Sequence, residues 1–310
     1  MAVGRRSAHH FHEAGGTDEE ESRPLFSKAH SPAGPKDTSV EEAQRRDETL
    51  QALRSRTAAA FDASNAVHEG TLRALWGAAF PGDPFEATSA RWGELGFQGK
   101  NPLSDLRAAG FQGLQHLTQF LIDYRSGLPA ECRPERFPLA LASVTCTAML
   151  QRYLTLHPTL VLPGCDPHVA APTVVDRFLD AQQRLGSLDA LQLLHSPLLR
   201  RMGVAWSRVL SQDPDATIMA FPLVLRSTYN HLHYVLSGVT AASTSPWDIS
   251  AVMHMIEHSP TRYAGELGEA WPEQGVCIGG LSFTLALLCM LAARMGCAHP
   301  AHPGHERRRD

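Results

Sequence analysis

The segment from Arg91 to Tyr124 constrains the fold more than any other part of the chain. It places two large aromatic residues, Trp92 and Phe97, several glycines and a proline ahead of a single arginine, Arg107. Apolar residues then recur at spacings of three and four, which is the pattern of one helix face: Phe111, Leu114, Leu117, Leu121 and Tyr124. The pattern predicts a guanidinium group at the edge of a packed helical domain, with Trp92 and Phe97 in its core.

The overall composition is that of a globular protein and argues against nucleic acid as a partner. Hydrophobic residues make up 43% of the 310 positions, which is enough for a sizeable core. The 28 basic and 32 acidic residues give a net charge of −4, whereas phosphate binding needs a basic face. The six cysteines contain no C-x-x-C pair, so we expect free thiols in a reducing, cytoplasmic environment.

Helical periodicity continues through most of the remaining chain, and alternating strand patterns are nearly absent. Pro138 is expected in the first turn of an almost wholly apolar helix, and Gly186 and Pro197 are expected to break later helices. The predicted helical segments are 136–154, 174–185, 188–210, 216–236 and 247–258. The fold class is therefore predicted to be all-α, as an irregular multi-helix bundle.

Three regions of different composition follow one another along the chain. Residues 1–45 are rich in Gly, Pro, Ser, His and charge, and are predicted to form a disordered tail. Residues 46–240 form the predicted helical domain. Residues 241–310 form a C-terminal extension that contains a predicted apolar helix at 274–293.

The apolar run 274–293 has two interpretations. It carries no charged residue between Glu273 and Arg294, and a helix of that length spans about 30 Å, the thickness of the hydrocarbon core of a bilayer. It is therefore either a membrane anchor that leaves the domain in the cytosol, or a terminal helix that is buried in the bundle.

Separated blocks of the sequence resemble the ELMO-domain family. The first is Leu75 and Trp76 followed by Pro81, and the third is Phe137 and Pro138 at the start of the apolar helix. The second resembles the family pattern W-x-x-L-G-F-Q-x-x-x-P-x-x-D-F-R-G. Its matching residues are Trp92, Leu95, Gly96, Phe97, Gln98, Gly99, Pro102, Asp105, Arg107, Gly110, Gly113, Leu114 and Leu117. A weaker fourth block lies at 217–221, so that the resemblance covers about residues 48–236.

The resemblance implies a regulator of GTP hydrolysis rather than an enzyme with a substrate of its own. Short members of the family are similar to GTPase-activating proteins for Arf-family and Arf-like GTPases, and would bind the GTP form. Longer members act as scaffolds for guanine-nucleotide exchange factors, so a non-catalytic adaptor that binds a GTPase or an exchange factor is the alternative. Neither function calls for a cofactor or a metal.

The family motif also implies roles for individual residues. Arg107 matches its arginine and would act as an arginine finger, because a guanidinium stays charged and binds oxyanions with two parallel hydrogen bonds. Asp105 would orient it or cap the following helix. The other implied residues are the supporting Gln98, Gly96, Gly99 and Gly110, whose glycines permit tight turns, and the structural Trp92, Phe97, Pro102 and Pro138.

The sequence departs from the motif at two positions; Leu106 is a tolerable apolar change, whereas Ala108 keeps the adaptor alternative open. Leu106 replaces the family's phenylalanine, and Ala108 replaces the glycine that follows the arginine. If that glycine needs a positive φ or a close approach to the GTPase, Ala108 weakens activity. From the residues alone, Arg107 also fits an internal ion pair with Asp105 or a helix cap.

Other enzyme motifs are weak or absent. Residues 254–258 match H-x-x-E-H, but the zinc-protease mechanism needs a further ligand well downstream, so we interpret the match as chance and expect no metal site. The sequence contains no G-x-x-x-x-G-K-[ST] loop and no G-x-S-x-G elbow, which argues against a nucleotide switch and a serine hydrolase.

Overall fold

The computed structural model describes residues 38–162, 168–243 and 247–260. These residues form eight α-helices and four short 3₁₀ helices and contain no strand, which confirms the all-α prediction. The α-helices are α1 Thr38–Thr57, α2 Ala66–Ala79, α3 Gly110–Asp123, α4 Leu139–Tyr153, α5 Pro172–Leu185, α6 Ala190–Gln212, α7 Phe221–Ala242 and α8 Ile249–His258. The 3₁₀ helices are Ala90–Leu95, Pro102–Arg107, Ala130–Cys132 and Ile218–Ala220.

Helix α4 lies at the centre of the bundle. Fourteen of its fifteen residues are buried, and Arg152 in the last turn is the exception. It packs against α3 on one side and α6 on another. Because a helix that is apolar all round must be surrounded by protein, the sequence already indicated this central position.

Helix α6 corrects one predicted break. Pro197 was expected to end a helix, yet it lies inside α6, where it is buried. Proline removes one backbone hydrogen bond from a helix interior, which is unfavourable in isolation. Here the helix packs along its length against α4, α7 and α8, and this tertiary packing outweighs the local cost.

The start of the folded region also differs from the prediction. Helix α1 begins at Thr38, so residues 38–45, which were predicted to lie in the disordered tail, belong to a helix. Arg46 then joins α1 to α5 through a bidentate pair, with Nε 2.6 Å and Nη2 2.9 Å from the two carboxylate oxygens of Asp180. The rest of the predicted tail and the apolar run 274–293 lie outside the described residues.

No helix in the described ranges has the length and hydropathy that crossing a bilayer requires.

A buried polar cluster joins α3, α4 and α6. His116 Nδ1 lies 3.0 Å from Thr147 Oγ1, and His195 Nε2 lies 3.0 Å from Ser143 Oγ, with the two imidazole centroids 5.0 Å apart. Burial lowers the pKa of both histidines, and the neighbouring His116 lowers the pKa of His195 further. Asp189 raises the pKa of His116, because its Oδ2 lies 3.7 Å from His116 Nε2, but burial has the larger effect and the pKa remains lowered. Both rings are therefore neutral in the native protein.

We expect the free energy of unfolding to fall as the pH drops from about 6.5 towards 5, because unfolded histidine titrates near 6.5. In that window the unfolded state binds more protons than the native state, so stability rises with pH. Each buried histidine contributes up to about 1.4 kcal/mol per pH unit. Urea unfolding at a series of pH values measures the slope.

His195→Gln is expected to reduce this slope, whereas His254→Gln, on an exposed residue of α8, is expected to leave it unchanged. An equal slope in wild type and His195→Gln would contradict the role of the buried ring.

Candidate functional site

The motif segment folds as two 3₁₀ helices followed by α3. Side-chain oxygens cap both short helices: Ser89 accepts from the backbone nitrogen of Arg91, and Asn101 accepts from that of Leu103. Pro102 occupies the first turn of the second 3₁₀ helix and is buried. These caps satisfy backbone donors that a short helix leaves unpaired, which fixes where each turn begins.

The two motif aromatics lie in the core. Trp92 is 0% exposed and Phe97 4% exposed, and their rings meet edge to face at 5.5 Å. Trp92 also makes an edge contact with Trp76 at 5.0 Å, and its indole Nε1 donates to the carbonyl oxygen of Glu86 at 3.1 Å. The aromatic cluster anchors the first 3₁₀ helix to α2.

Gly96 lets the motif loop approach the start of α4. It has a left-handed conformation with φ +98°, and a Cβ there would lie 2.7 Å from the backbone nitrogen of Leu139 and from the carbonyl carbon of Pro138. Pro138 itself is the N-cap residue of α4, one position before its first turn. No other residue type fits Gly96 without moving the loop.

Asp105 holds the loop that follows Gly96. It is 6% exposed, and its Oδ2 accepts a 2.7 Å hydrogen bond from the backbone nitrogen of Gln98 while Oδ1 accepts from Ser104 Oγ at 3.2 Å. Burial raises the pKa of this carboxyl, and the two hydrogen bonds and the charge of Arg107 act in the opposite direction. Asp105 does not cap α3, whose N-cap residue is Ala109 and which has no side-chain cap hydrogen bond.

Arg107 is the last residue of the second 3₁₀ helix and is exposed. Because Asp105 binds the Gln98 amide, the exposed residues Gln98, Gly99 and Lys100 lie beside that helix. The carbonyl oxygen of Lys100 accepts from the Ser89 amide at 2.9 Å, which closes the loop. We call Gln98, Gly99, Lys100 and Arg107 the Arg107 surface; it adds Lys100 to the residues that the motif indicated.

The residues after Arg107 connect it to α3. Ala108 has φ −70° and ψ −41°, a right-handed helical conformation that alanine adopts without strain. Gly110 has φ +64°, and a Cβ there would lie 2.4 Å from the carbonyl oxygen of Ala59. That oxygen accepts from the Phe111 amide at 2.9 Å, so the chain after α1 covers the start of α3.

The glycines of the motif are expected to differ in their importance for stability. Gly110→Ala should lower the free energy of unfolding by about 1–3 kcal/mol from backbone strain alone, and the clash with Ala59 adds to this. Gly99 has no left-handed φ, and a Cβ there would lie 4.0 Å from its nearest neighbour, the backbone nitrogen of Asn101, so the turn requirement expected of it does not hold.

Gly99→Ala is therefore the matched control and should shift stability by less than about 0.5 kcal/mol. Chemical denaturation compares the two variants, and an equal loss in both would contradict the distinction.

Glu257, Cys132 and Cys146 have structural partners or are buried. Glu257 of the H-x-x-E-H match forms an ion pair with Arg200 on α6. In the part of the chain that the structure describes, no group of three or more His, Cys, Asp or Glu residues is arranged to hold a metal. Cys132 and Cys146 are buried, and burial raises the pKa of the Cys132 thiol to about 12.

Comparison with known proteins gives one family. The family model described as "ELMO/CED-12 family" matches residues 51–225, a range that includes both 3₁₀ helices of the motif and the central helix α4. No solved structure matches the chain.

Curated relatives carry the same domain name. The chain is similar to ELMO domain-containing protein A of Dictyostelium discoideum, with 29% identity over 65% of this chain and 21% of that protein. Protein B of the same organism is 36% identical over 29% of this chain and 34% of that protein. Human ELMO domain-containing protein 1 is 42% identical over 20% of this chain and 19% of that protein. Each alignment thus spans about a third of the relative or less.

Proposed function

The chain belongs to the ELMO/CED-12 family, and we propose that it accelerates GTP hydrolysis by a small GTPase of the Arf or Arf-like group. The observation that carries the proposal is the position of Arg107. The residue is exposed at the end of a short helix whose neighbouring loop is held by Asp105, by Gly96 and by the Ser89–Lys100 hydrogen bond. A fixed backbone with an exposed guanidinium is what insertion into a partner's active site requires.

The chemistry needs one well-placed positive charge. During hydrolysis negative charge develops on the γ-phosphate and on the leaving oxygen. A guanidinium supplied in trans stabilises this charge and thereby accelerates hydrolysis by about 10³–10⁵-fold. Lys100, on the same surface, adds a second positive charge that favours approach to an anionic nucleotide. A positioned backbone lowers the entropic cost of bringing Arg107 into the GTPase site.

Two other arginines join separate elements of the fold. Arg46 binds Asp180, and Arg200 binds Glu131 with Nε 3.0 Å from Oε1, in each case joining separate elements. Replacing either of them is expected to affect packing. Arg107 is exposed and occupies the position of the arginine in the family motif, which favours it as the finger.

Ala108 supports the second candidate function, a non-catalytic adaptor for a GTPase or an exchange factor. Its backbone conformation suits alanine, so strain does not argue against activity. Its methyl group still adds bulk immediately after Arg107, where the family motif has glycine. If this methyl group prevents close approach to the GTPase, the protein binds without catalysis.

Single-turnover hydrolysis by a panel of GTP-loaded Arf and Arf-like GTPases tests the proposal. We expect the wild-type protein to accelerate hydrolysis by at least one of them. Binding should favour the GTP form over the GDP form, because the γ-phosphate orders the switch loops that a GTPase activator contacts.

Ala108→Gly separates the two functions. Binding without acceleration by wild type, together with acceleration by Ala108→Gly, would establish the adaptor as the native function. The absence of binding to every GTPase of the panel in either nucleotide state would contradict the Arf-type partner.

A further inference from the structure

A groove of about 660 Å³ lies between the C-terminal ends of α2 and α3, on the side of the first 3₁₀ helix. We call it the α2–α3 groove. Its apolar walls include Phe80, Leu95, Leu121 and Leu128. Its volume falls within the range of about 300–1,000 Å³ that binds compact ligands, which leaves room for several apolar side chains.

Charged residues line the groove together with its apolar residues, and they are Arg91, Glu94, Arg125 and Glu135. Arg91 is about two-fifths exposed and pairs with Glu94 and Asp83 around the first 3₁₀ helix. Phe80, Leu95 and Leu121 are each less than a tenth exposed, whereas Leu128 is half-buried. Because the two positive and two negative charges of the lining balance, the groove fits an uncharged segment better than a strongly charged one.

The last described helix ends next to this groove. Glu257, in the last turn of α8, forms an ion pair with Arg200, and Arg200 Nε also lies 3.0 Å from Glu131 Oε1. Glu131 follows Leu128, a wall of the groove, by three residues. The chain therefore leaves the described domain at Pro260 close to the groove.

The segment that follows Pro260 has the length and the composition to occupy the groove. Residues 261–273 can span up to roughly 45 Å when extended. The run 274–293 then carries no charge and contains seven large apolar side chains between Leu281 and Leu291: Leu281, Phe283, Leu285, Leu287, Leu288, Met290 and Leu291. Burial of these apolar side chains away from water is energetically favourable.

We propose that, in the absence of a membrane, residues 274–293 dock into the α2–α3 groove of the same molecule. Apolar side chains of the run then contact Leu95, Leu121 and Leu128. The docked state would keep the apolar run from contact with other molecules. This inference does not depend on the GTPase or on Arg107.

The native cysteines provide the test. Cys277 and Cys289 lie in the run, whereas Cys132 and Cys146 are buried in the domain and report whether it is folded. Maleimide labelling of the full chain without lipid, read for each cysteine by mass spectrometry, measures protection of the run. We expect Cys289 to be labelled at least tenfold more slowly in wild type than in a variant whose groove is blocked.

Gly93→Trp is the blocking variant. Gly93 lines the groove, lacks a left-handed φ, and has no atom within 4 Å of an added Cβ, so the backbone accepts a side chain there. Gly70→Trp is the matched control on the exposed face of α2, where an added Cβ also has open space. Leu128→Glu, with Leu188→Glu on an exposed leucine as its control, repeats the test through charge.

The proposal is supported if Gly93→Trp or Leu128→Glu exposes Cys289 while both controls and the labelling of Cys132 and Cys146 stay as in wild type. Equal labelling of Cys289 in all variants would overturn it. Protection that rises with protein concentration would assign the run to a second copy. Protection that needs phosphatidylcholine–phosphatidylserine vesicles would assign it to a membrane, and either result overturns docking within one molecule.

Discussion

Arg107→Ala is expected to reduce the stimulated rate of GTP hydrolysis by about 10³-fold, because the variant can no longer stabilise the charge that develops on the γ-phosphate. The melting temperature should stay close to that of wild type, since Arg107 is exposed and surface substitutions usually change stability by less than about 0.5 kcal/mol. Single-turnover hydrolysis of GTP by the loaded GTPase, with its intrinsic rate subtracted, measures the change in the stimulated rate. Thermal denaturation measures the change in stability.

Arg107→Lys is the informative control. Lysine keeps the positive charge but loses the planar fork that binds two oxygens at once, so we expect only partial rescue of the rate. Lys100→Ala, on the same Arg107 surface, should weaken association with the GTPase more than the rate at saturation. If Arg107→Ala and wild type accelerate hydrolysis equally on every GTPase that they bind, the finger assignment is wrong.

The helical architecture was accessible from the sequence because local patterns determine it. The stripe formed by Leu114, Leu117 and Leu121 predicted α3, and these residues are at most 5% exposed in the structure. The all-round apolar composition of 136–154 likewise predicted the central helix α4. In both cases the period of the apolar residues carries the information, and no knowledge of distant contacts is needed.

The details of the site depend on contacts that a linear pattern does not contain. The aspartate of the motif suggested a partner for Arg107 or a helix cap, and the structure adds a contact that the motif did not indicate, a hydrogen bond from the backbone of Gln98 to Asp105. Position 110 must be glycine partly because a Cβ there would clash with the carbonyl oxygen of Ala59, more than fifty residues earlier in the chain. Glycine and aspartate are compatible with several local roles, and only the packing of distant segments decides between them.

The same limit explains the two departures in the fold. Proline disfavours the interior of an isolated helix, which is why a break was predicted at Pro197. The packing of the surrounding helices keeps α6 continuous there. The start of α1 was misplaced because its first residues are polar and mostly exposed, so no apolar stripe marks them. The long-range pair of Arg46 with Asp180, which docks this helix, leaves no periodic signal in the sequence.

The buried aromatic cluster holds the loop that carries part of the Arg107 surface. Trp92 lies in the first 3₁₀ helix, and Phe97 starts the loop that Asp105 holds, so the ring contacts position the loop before any GTPase is present. A defect in this cluster is expected to appear as loss of folding first and as loss of activity only in consequence. This order distinguishes a core residue from a residue that contacts the partner.

Trp92→Ala is therefore expected to lower the free energy of unfolding by about 3–5 kcal/mol, since truncation of a fully buried large aromatic removes its contacts and leaves a cavity. Domains are typically stable by about 5–15 kcal/mol, so the variant should be partly unfolded or aggregate at moderate temperature. Trp92→Phe keeps a ring for the edge contacts with Trp76 and Phe97 but loses the hydrogen bond to Glu86, and should cost less. Urea denaturation ranks the variants, and a Trp92→Ala protein with wild-type stability but no GTPase stimulation would instead show that this ring contacts the partner.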